Sequence, residues 1–383
     1  MSGTGRSRTM IRTVISAAIL CLSCLVWTGS GNAGDDTSYN VGYTVLDLKY
    51  QNGKNKGKTL TVAVWYPTLD TPTRYTYAGP VIGMVAHNAS PYQAARPYPL
   101  LVFSHGFGGS GLSAVFLNEQ LAARGWIVAA PDHRDRYSAI RIRTGLNKDL
   151  DRQGFLLEAE KITNADADHR DEYLYRIDEL KFVLDEMLRS GQFGKRIDKE
   201  RIAVGGHSFG GFTALGLCGT IEERRDDRIK AVLLYSTGAG GYLFQENELA
   251  RVKVPSLYFF GELEKGQKRG RATMEELSDK VYRNVASPKY LLVLKGGNHF
   301  SFNNRFNDRP GSHFLGGSEE QLKVVGRYSI AFLEKYVAGQ EDGSRILDQQ
   351  DPLVTRYFRE PQQGASRKDQ REARARIHGT IRP

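Results

Sequence analysis

The stretch that most constrains this chain is Gly205-Gly-His-Ser-Phe-Gly-Gly211. It follows the strand-like Arg201-Ile-Ala-Val204 and precedes the helix-like Phe212-Thr-Ala-Leu-Gly-Leu-Cys218. Within it, Gly206-His-Ser-Phe-Gly210 reads G-x-S-x-G. That spacing suits a strand turning into a helix so sharply that the apical residue sits in strained backbone, with its side chain thrown out above the sheet. Glycines two before and two after let strand and helix pack closely. A serine at the apex exposes its Oγ, and the following helix points N-terminal amides at the reacting centre. His207, beside it, points elsewhere on so sharp a turn and reads as structural.

The rest of the chain supplies the rhythm of an α/β protein. Thr44–Tyr50 and Thr59–Tyr66 alternate and are β-rich, with a glycine-containing polar loop between them, so they read as a hairpin at the antiparallel edge of a sheet. Residues 68–97 show no clear period and read as a surface connection. Tyr98–Phe103, a helix over Leu112–Arg124 and Trp126–Ala130 form a βαβ unit, which implies parallel pairing. Residues 135–170 are charged and longer than a usual connection, and read as a lid insertion. A helical stripe over Tyr173–Leu188 precedes the opening motif. Three more short apolar strands follow at 229–235, 255–260 and 289–294, and then a helix over Glu319–Val337, headed by Ser318 and Gln321 in capping-box positions.

Both ends differ from the body. Residues 1–33 carry Arg6, Arg8 and Arg12, an apolar run from Val14 to Trp27 and a small-residue site before Asp35, the make-up of a secretory signal peptide. The run is short of the roughly 20 residues of a membrane span. Cys21-Leu-Ser-Cys24 is a poor match to a lipid-attachment site, so export without a lipid anchor is expected. Loss of that segment leaves Cys218 as the sole cysteine, without a disulfide partner. The net charge of +10 is concentrated at the ends: six basic residues fall in 362–383, which reads as a disordered tail. Without interleaved aromatics that tail does not describe a nucleic-acid binder. The expected organisation is a signal peptide (1–33), a catalytic domain (34–340), a C-terminal extension (341–361) and the basic tail (362–383).

A serine hydroxyl is a weak nucleophile until a base removes its proton. His299 is the best-placed base, in the loop after the last parallel strand, where such sheets present reactive groups. A carboxylate must hold that histidine. Glu262 and Glu264 share the loop after 255–260, and spacing alone does not choose between them. A developing oxyanion needs two amide donors, expected from Phe209 and from Phe107 in the glycine-rich loop after 98–103. That loop lacks the Gly-Lys-Ser/Thr ending of a phosphate cradle. His105 and Asp132 read as its scaffold. Asp166-Ala-Asp168-His169 lacks what would complete a calcium loop and reads as solvated.

The segments Val64-Trp-Tyr-Pro67, Phe103-Ser-His-Gly-Phe-Gly-Gly109, Val128-Ala-Ala-Pro-Asp-His133, Gly206-His-Ser-Phe-Gly-Gly211 and Asn298-His-Phe300 together resemble the α/β-hydrolase superfamily. The likeness is to the branch of platelet-activating-factor acetylhydrolases, dienelactone-hydrolase-like proteins and cutinase-like polyester hydrolases. It covers roughly residues 40–338 and implies a mostly parallel central sheet with an antiparallel N-terminal edge and helices on both faces. It also implies an acid three residues beyond the strand-ending glycine, here Glu264, where many relatives carry aspartate. The expectation is an exported serine hydrolase of carboxylic esters working through an acyl-enzyme, with no cofactor, metal or nucleic-acid partner. The runners-up are an amidase or peptidase with the same residues, and a noncatalytic binding protein.

Overall fold

The computed structural model describes residues 38–51, 53–306 and 315–360. The expected signal peptide and basic tail lie outside these residues. Eleven strands form one sheet. In chain order they are β1 (Asn40–Lys49), β2 (Thr59–Thr68), β3 (Thr73–Ala78), β4 (Val81–His87), β5 (Tyr98–Ser104), β6 (Ile127–Pro131), β7 (Ile197–His207), β8 (Ile229–Tyr235), β9 (Ser256–Gly261), β10 (Lys289–Leu294) and β11 (Val354–Glu360). Their order across the sheet is β11-β10-β9-β8-β7-β5-β6-β2-β1-β4-β3.

The middle of the sheet, from β6 through β5, β7, β8 and β9 to β10, is parallel. β5, β6, β8, β9 and β10 have every residue buried or all but one, as a strand covered on both faces requires. One core lies on each face. The first gathers Leu180, Val183 and Leu184 of helix 175–189 and Phe212 of helix 209–215. The second gathers Leu117 and Leu121 of helix 115–123 with Val325 and Phe332 of helix 319–333. Because the strands run the same way, their carboxyl ends meet at one edge. Ser104, Pro131, His207, Tyr235, Gly261 and Leu294 end there, and the loops beyond them carry the chemistry.

Three sequence expectations need correction. Residues 68–97 are not merely a surface connection: β3 and β4 form an antiparallel hairpin, and β4 pairs in parallel with β1. β3 alternates threonine, arginine and tyrosine, and β4 (Val-Ile-Gly-Met-Val-Ala-His) sets apolar residues on both its buried and its exposed face, so the contrast between a core face and a solvent face is weak. It is supplied in three dimensions by a cluster of Tyr43, Trp65, Tyr75 and Tyr77, in which the Trp65 indole donates to the Tyr77 hydroxyl at 2.9 Å. The 44–66 hairpin is therefore interior, and β3 forms the N-terminal edge. At the other end, residues beyond 340 extend the sheet, because β11 pairs antiparallel with β10. The insertion over 135–170 folds into a two-residue hairpin (Ile140–Arg141 with Gly145–Leu146) and a helix, Arg152–Asn164. Among the described residues, no helix is long and apolar enough to cross a membrane.

Candidate active site

At Ser208 the chain passes from β7 into helix 209–215 with φ 54° and ψ −118°. Such backbone is costly for a residue with a Cβ and persists only where its surroundings enforce it. Here they do. The Ser208 amide donates to Tyr235 O at 2.8 Å, and the Gly211 amide closes the turn on Ser208 O at 3.0 Å. A Cβ on Gly206 would lie 2.1 Å from Gly210 O, and one on Gly210 would lie 2.0 Å from Ser104 O. Both glycines of G-x-S-x-G are thus required by backbone packing.

The Ser208 hydroxyl lies 2.8 Å from His299 Nε2, and Nδ1 of the same ring lies 3.0 Å from Glu264 Oε2. The carboxylate is fully buried, whereas the imidazole is 19% exposed. Glu264 takes this place because residues 262–264 form a 3-10 turn in which its Oε1 accepts the Gly261 amide at 2.7 Å. Glu262, two residues earlier, accepts from the Gly296 amide at 2.9 Å instead. Burial pushes the Glu264 carboxyl up. Hydrogen bonds from His299, Ser236 and Gly261, together with the imidazole's charge, outweigh burial and hold it below the ordinary value.

The loop after β5 abuts the serine, since a Cβ on Gly106 would meet Ser208 Cβ at 3.1 Å. Gly106 O accepts from His105 Nδ1 at 2.6 Å and from the Gly109 amide at 3.1 Å. A planar trans peptide points its N–H opposite to its carbonyl, so the Phe107 amide faces away from these contacts. Phe209 opens its helix, where an N–H has no intrahelical partner. Asp132 is scaffold in the literal sense: its two oxygens accept the Gly111 and Ile142 amides at 3.0 and 2.8 Å. Burial pushes its carboxyl up to about 6.

Sequence reasoning missed two features. Ser236, after β8, touches both Glu264 and His299. A second Ser-His-Glu chain also exists: Ser104 Oγ lies 2.8 Å from His133 Nε2, and His133 Nδ1 lies 2.8 Å from Glu179 Oε2. All three side chains are sealed from solvent, so the arrangement braces the base of the loop after β5 and has no access to a substrate. Burial, and then the Arg176 charge, keep His133 neutral. The signal was available in helix 175–189, where Arg176 and Glu179 fall on the apolar stripe and are buried.

Beside Phe107 is a cavity of about 190 Å³, bounded by Asp135, Ile162, Tyr173 and Tyr175 among others. Phe155 of the inserted helix packs against Phe107, with ring centroids 4.9 Å apart. His169 of the acidic run 166–169 forms an exposed pair with Asp166 at 2.7 Å.

The fold has a solved counterpart. The structure of a ferulic acid esterase from Streptomyces cinnamoneus superposes with a TM-score of 0.59 over 84% of this chain and 94% of its own, at 22% identity. This chain has the α/β-hydrolase fold. Residues 73–190 of this chain match the family described as platelet-activating factor acetylhydrolase, isoform II. It is 28% identical over 278 residues to the platelet-activating factor acetylhydrolase of Cavia porcellus, across 65% of this chain and 59% of that one. The Bos taurus protein of the same name is 25% identical over 384 residues, covering 83% and 79%. The chain spans about three fifths of the Cavia porcellus relative's length. Its resemblance to that acetylhydrolase branch is carried by sequence, and its fold by structure.

Proposed function

We propose that this α/β-hydrolase is an exported serine esterase that cleaves carboxylic esters through an acyl-enzyme. The observation that carries the reading is the continuous hydrogen-bond path from Ser208 through His299 to a buried Glu264 at the carboxyl edge of the sheet. Ser208 Oγ attacks the ester carbonyl while His299 Nε2 takes its proton. The carbonyl π electrons move to oxygen, and the resulting oxyanion is held by the Phe107 and Phe209 amides. Collapse expels the alcohol, which receives the proton from His299 and leaves the acyl group on Ser208. Water then repeats the sequence and releases the acid. Glu264 keeps the imidazole oriented and stabilises its charged form, and Glu262 takes no part. The similarity to platelet-activating factor acetylhydrolases supports an ester rather than an amide as substrate.

The similarity to relatives named acetylhydrolases favours a small acyl site. The test is turnover of p-nitrophenyl esters of increasing acyl length against the corresponding anilides. Ester turnover that is highest for short chains and far above the anilides is expected. Preference for the anilide would instead assign an amidase, and a maximum at long chains would contradict the small acyl site.

A further inference from the structure

Ser236 occupies a position that neither the fold nor the Ser-His-Glu path requires. It follows β8, is completely buried, and has φ 47° with a side chain that disfavours that region. Glycine would fit the same backbone at less cost. The strain is enforced by the Ser236 amide donating to Phe259 O at 2.6 Å. What serine adds over glycine is one hydroxyl, and that hydroxyl lies 2.7 Å from Glu264 Oε2 and 2.7 Å from His299 Nδ1.

These contacts close a triangle, since Nδ1 and Oε2 are themselves 3.0 Å apart. Its three atoms share at most two hydrogens, one on Oγ and one on Nδ1. The ionised carboxylate only accepts. With both hydrogens present, Oγ–H donates to Oε2, and Nδ1–H donates into the lone pairs of Oγ and Oε2. With Nδ1 bare, the lone pairs of Nδ1 and Oε2 would face each other and compete for the single hydroxyl hydrogen. The triangle therefore holds the imidazole in the form protonated at Nδ1, which leaves the Nε2 lone pair facing Ser208 Oγ at 2.8 Å.

We propose that Ser236 is a positioning residue that fixes the tautomer and orientation of His299 by bridging it to Glu264. The inference rests on the serine-esterase reading and assigns the end of β8 a share in the reaction. The strained backbone is retained because only a residue with a short hydroxyl side chain reaches both partners from that place.

The test compares Ser236→Ala and Ser236→Gly with the wild-type chain. Both remove the hydroxyl, and the glycine variant also relieves the backbone strain. The expected result is a fall in kcat of about 10-fold or more with p-nitrophenyl acetate, KM unchanged, in both variants. The glycine variant should melt no lower than wild type. In proton NMR, the downfield imidazole Nδ1–H resonance of the wild type should be lost or broadened in both. A purely structural role would make activity follow stability, sparing the glycine variant. If wild type hydrolyses the ester and both variants match its kcat with the resonance intact, the inference is overturned while the esterase reading stands. A wild-type protein that neither hydrolyses esters nor reacts with a fluorophosphonate would overturn the esterase reading itself.

Discussion

His207 Nε2 donates to the backbone carbonyl of His299 at 2.7 Å, so the residue preceding Ser208 holds the loop that carries the histidine facing it. The other ring nitrogen of His207 lies 3.2 Å from Asn303 Nδ2. The strand-to-helix turn and the histidine loop are tied together through one buried imidazole, which must be neutral because Nδ1 accepts.

That imidazole links stability to pH. Burial, and then the neighbouring His299, push His207 down to about 3. A histidine whose folded pKa is depressed leaves the unfolded chain with more bound protons, so its contribution is complete above about pH 6.5 and is lost as pH falls toward 3. The slope is up to about 1.4 kcal/mol per pH unit. His207→Gln keeps a donor toward His299 O without titrating. In urea denaturation between pH 6 and 4, the variant should lose stability less steeply than wild type by about one proton. Equal slopes would contradict the assignment.

The glycines around Ser208 answer to backbone contacts that cannot move aside. Gly206→Ala or Gly210→Ala should cost about 3 kcal/mol or more and abolish ester hydrolysis. Thermal melting checks the first effect, and a normal melt would show that the turn relaxes around a Cβ.

The two glutamates of the 262–264 turn should separate cleanly. Glu264→Gln removes the charge beside Nδ1 and should lower kcat by roughly 100-fold or more. Glu262→Gln disturbs only a contact to the Gly296 amide and should change kcat by less than about 3-fold. Steady-state kinetics with a short-chain ester decide, and the reverse order would move the acid to Glu262.

The segment beyond residue 340 belongs to the packing of the sheet. Leu347 and Val354 are buried in the same core as Tyr328 and Phe332, and β11 covers the edge of β10. A chain ending at residue 340 should lose roughly 3 kcal/mol or more and aggregate through the uncovered edge. Calorimetry and size-exclusion chromatography measure both effects.

Much of this was legible in the sequence for reasons of geometry. Ser208 directly follows a buried strand and His299 lies in the loop after another, so their positions follow once the strands are recognised. Glu264 needed more, because a short turn with Gly261 decides which of two neighbouring carboxylates turns inward. The hairpin over 73–87 and the edge strand 354–360 stayed hidden because aromatic and charged residues carry the alternation of 73–78 and 354–360, while 81–87 is apolar on both faces. Arg176 and Glu179 on the apolar stripe of helix 175–189 signalled a buried polar cluster, but the bonds of Ser236 and the pairing within Ser104-His133-Glu179 were illegible. Their partners come from separate strands, loops and helices and meet only after the sheet is assembled.

The central claim is that Ser208 is the nucleophile. The most direct test is to label the purified protein with a fluorophosphonate, map the adduct by mass spectrometry and assay Ser208→Ala on a short-chain ester. The account predicts a single adduct on Ser208, and a folded variant that neither labels nor turns over the ester. An adduct elsewhere, or hydrolysis retained by Ser208→Ala, would contradict it.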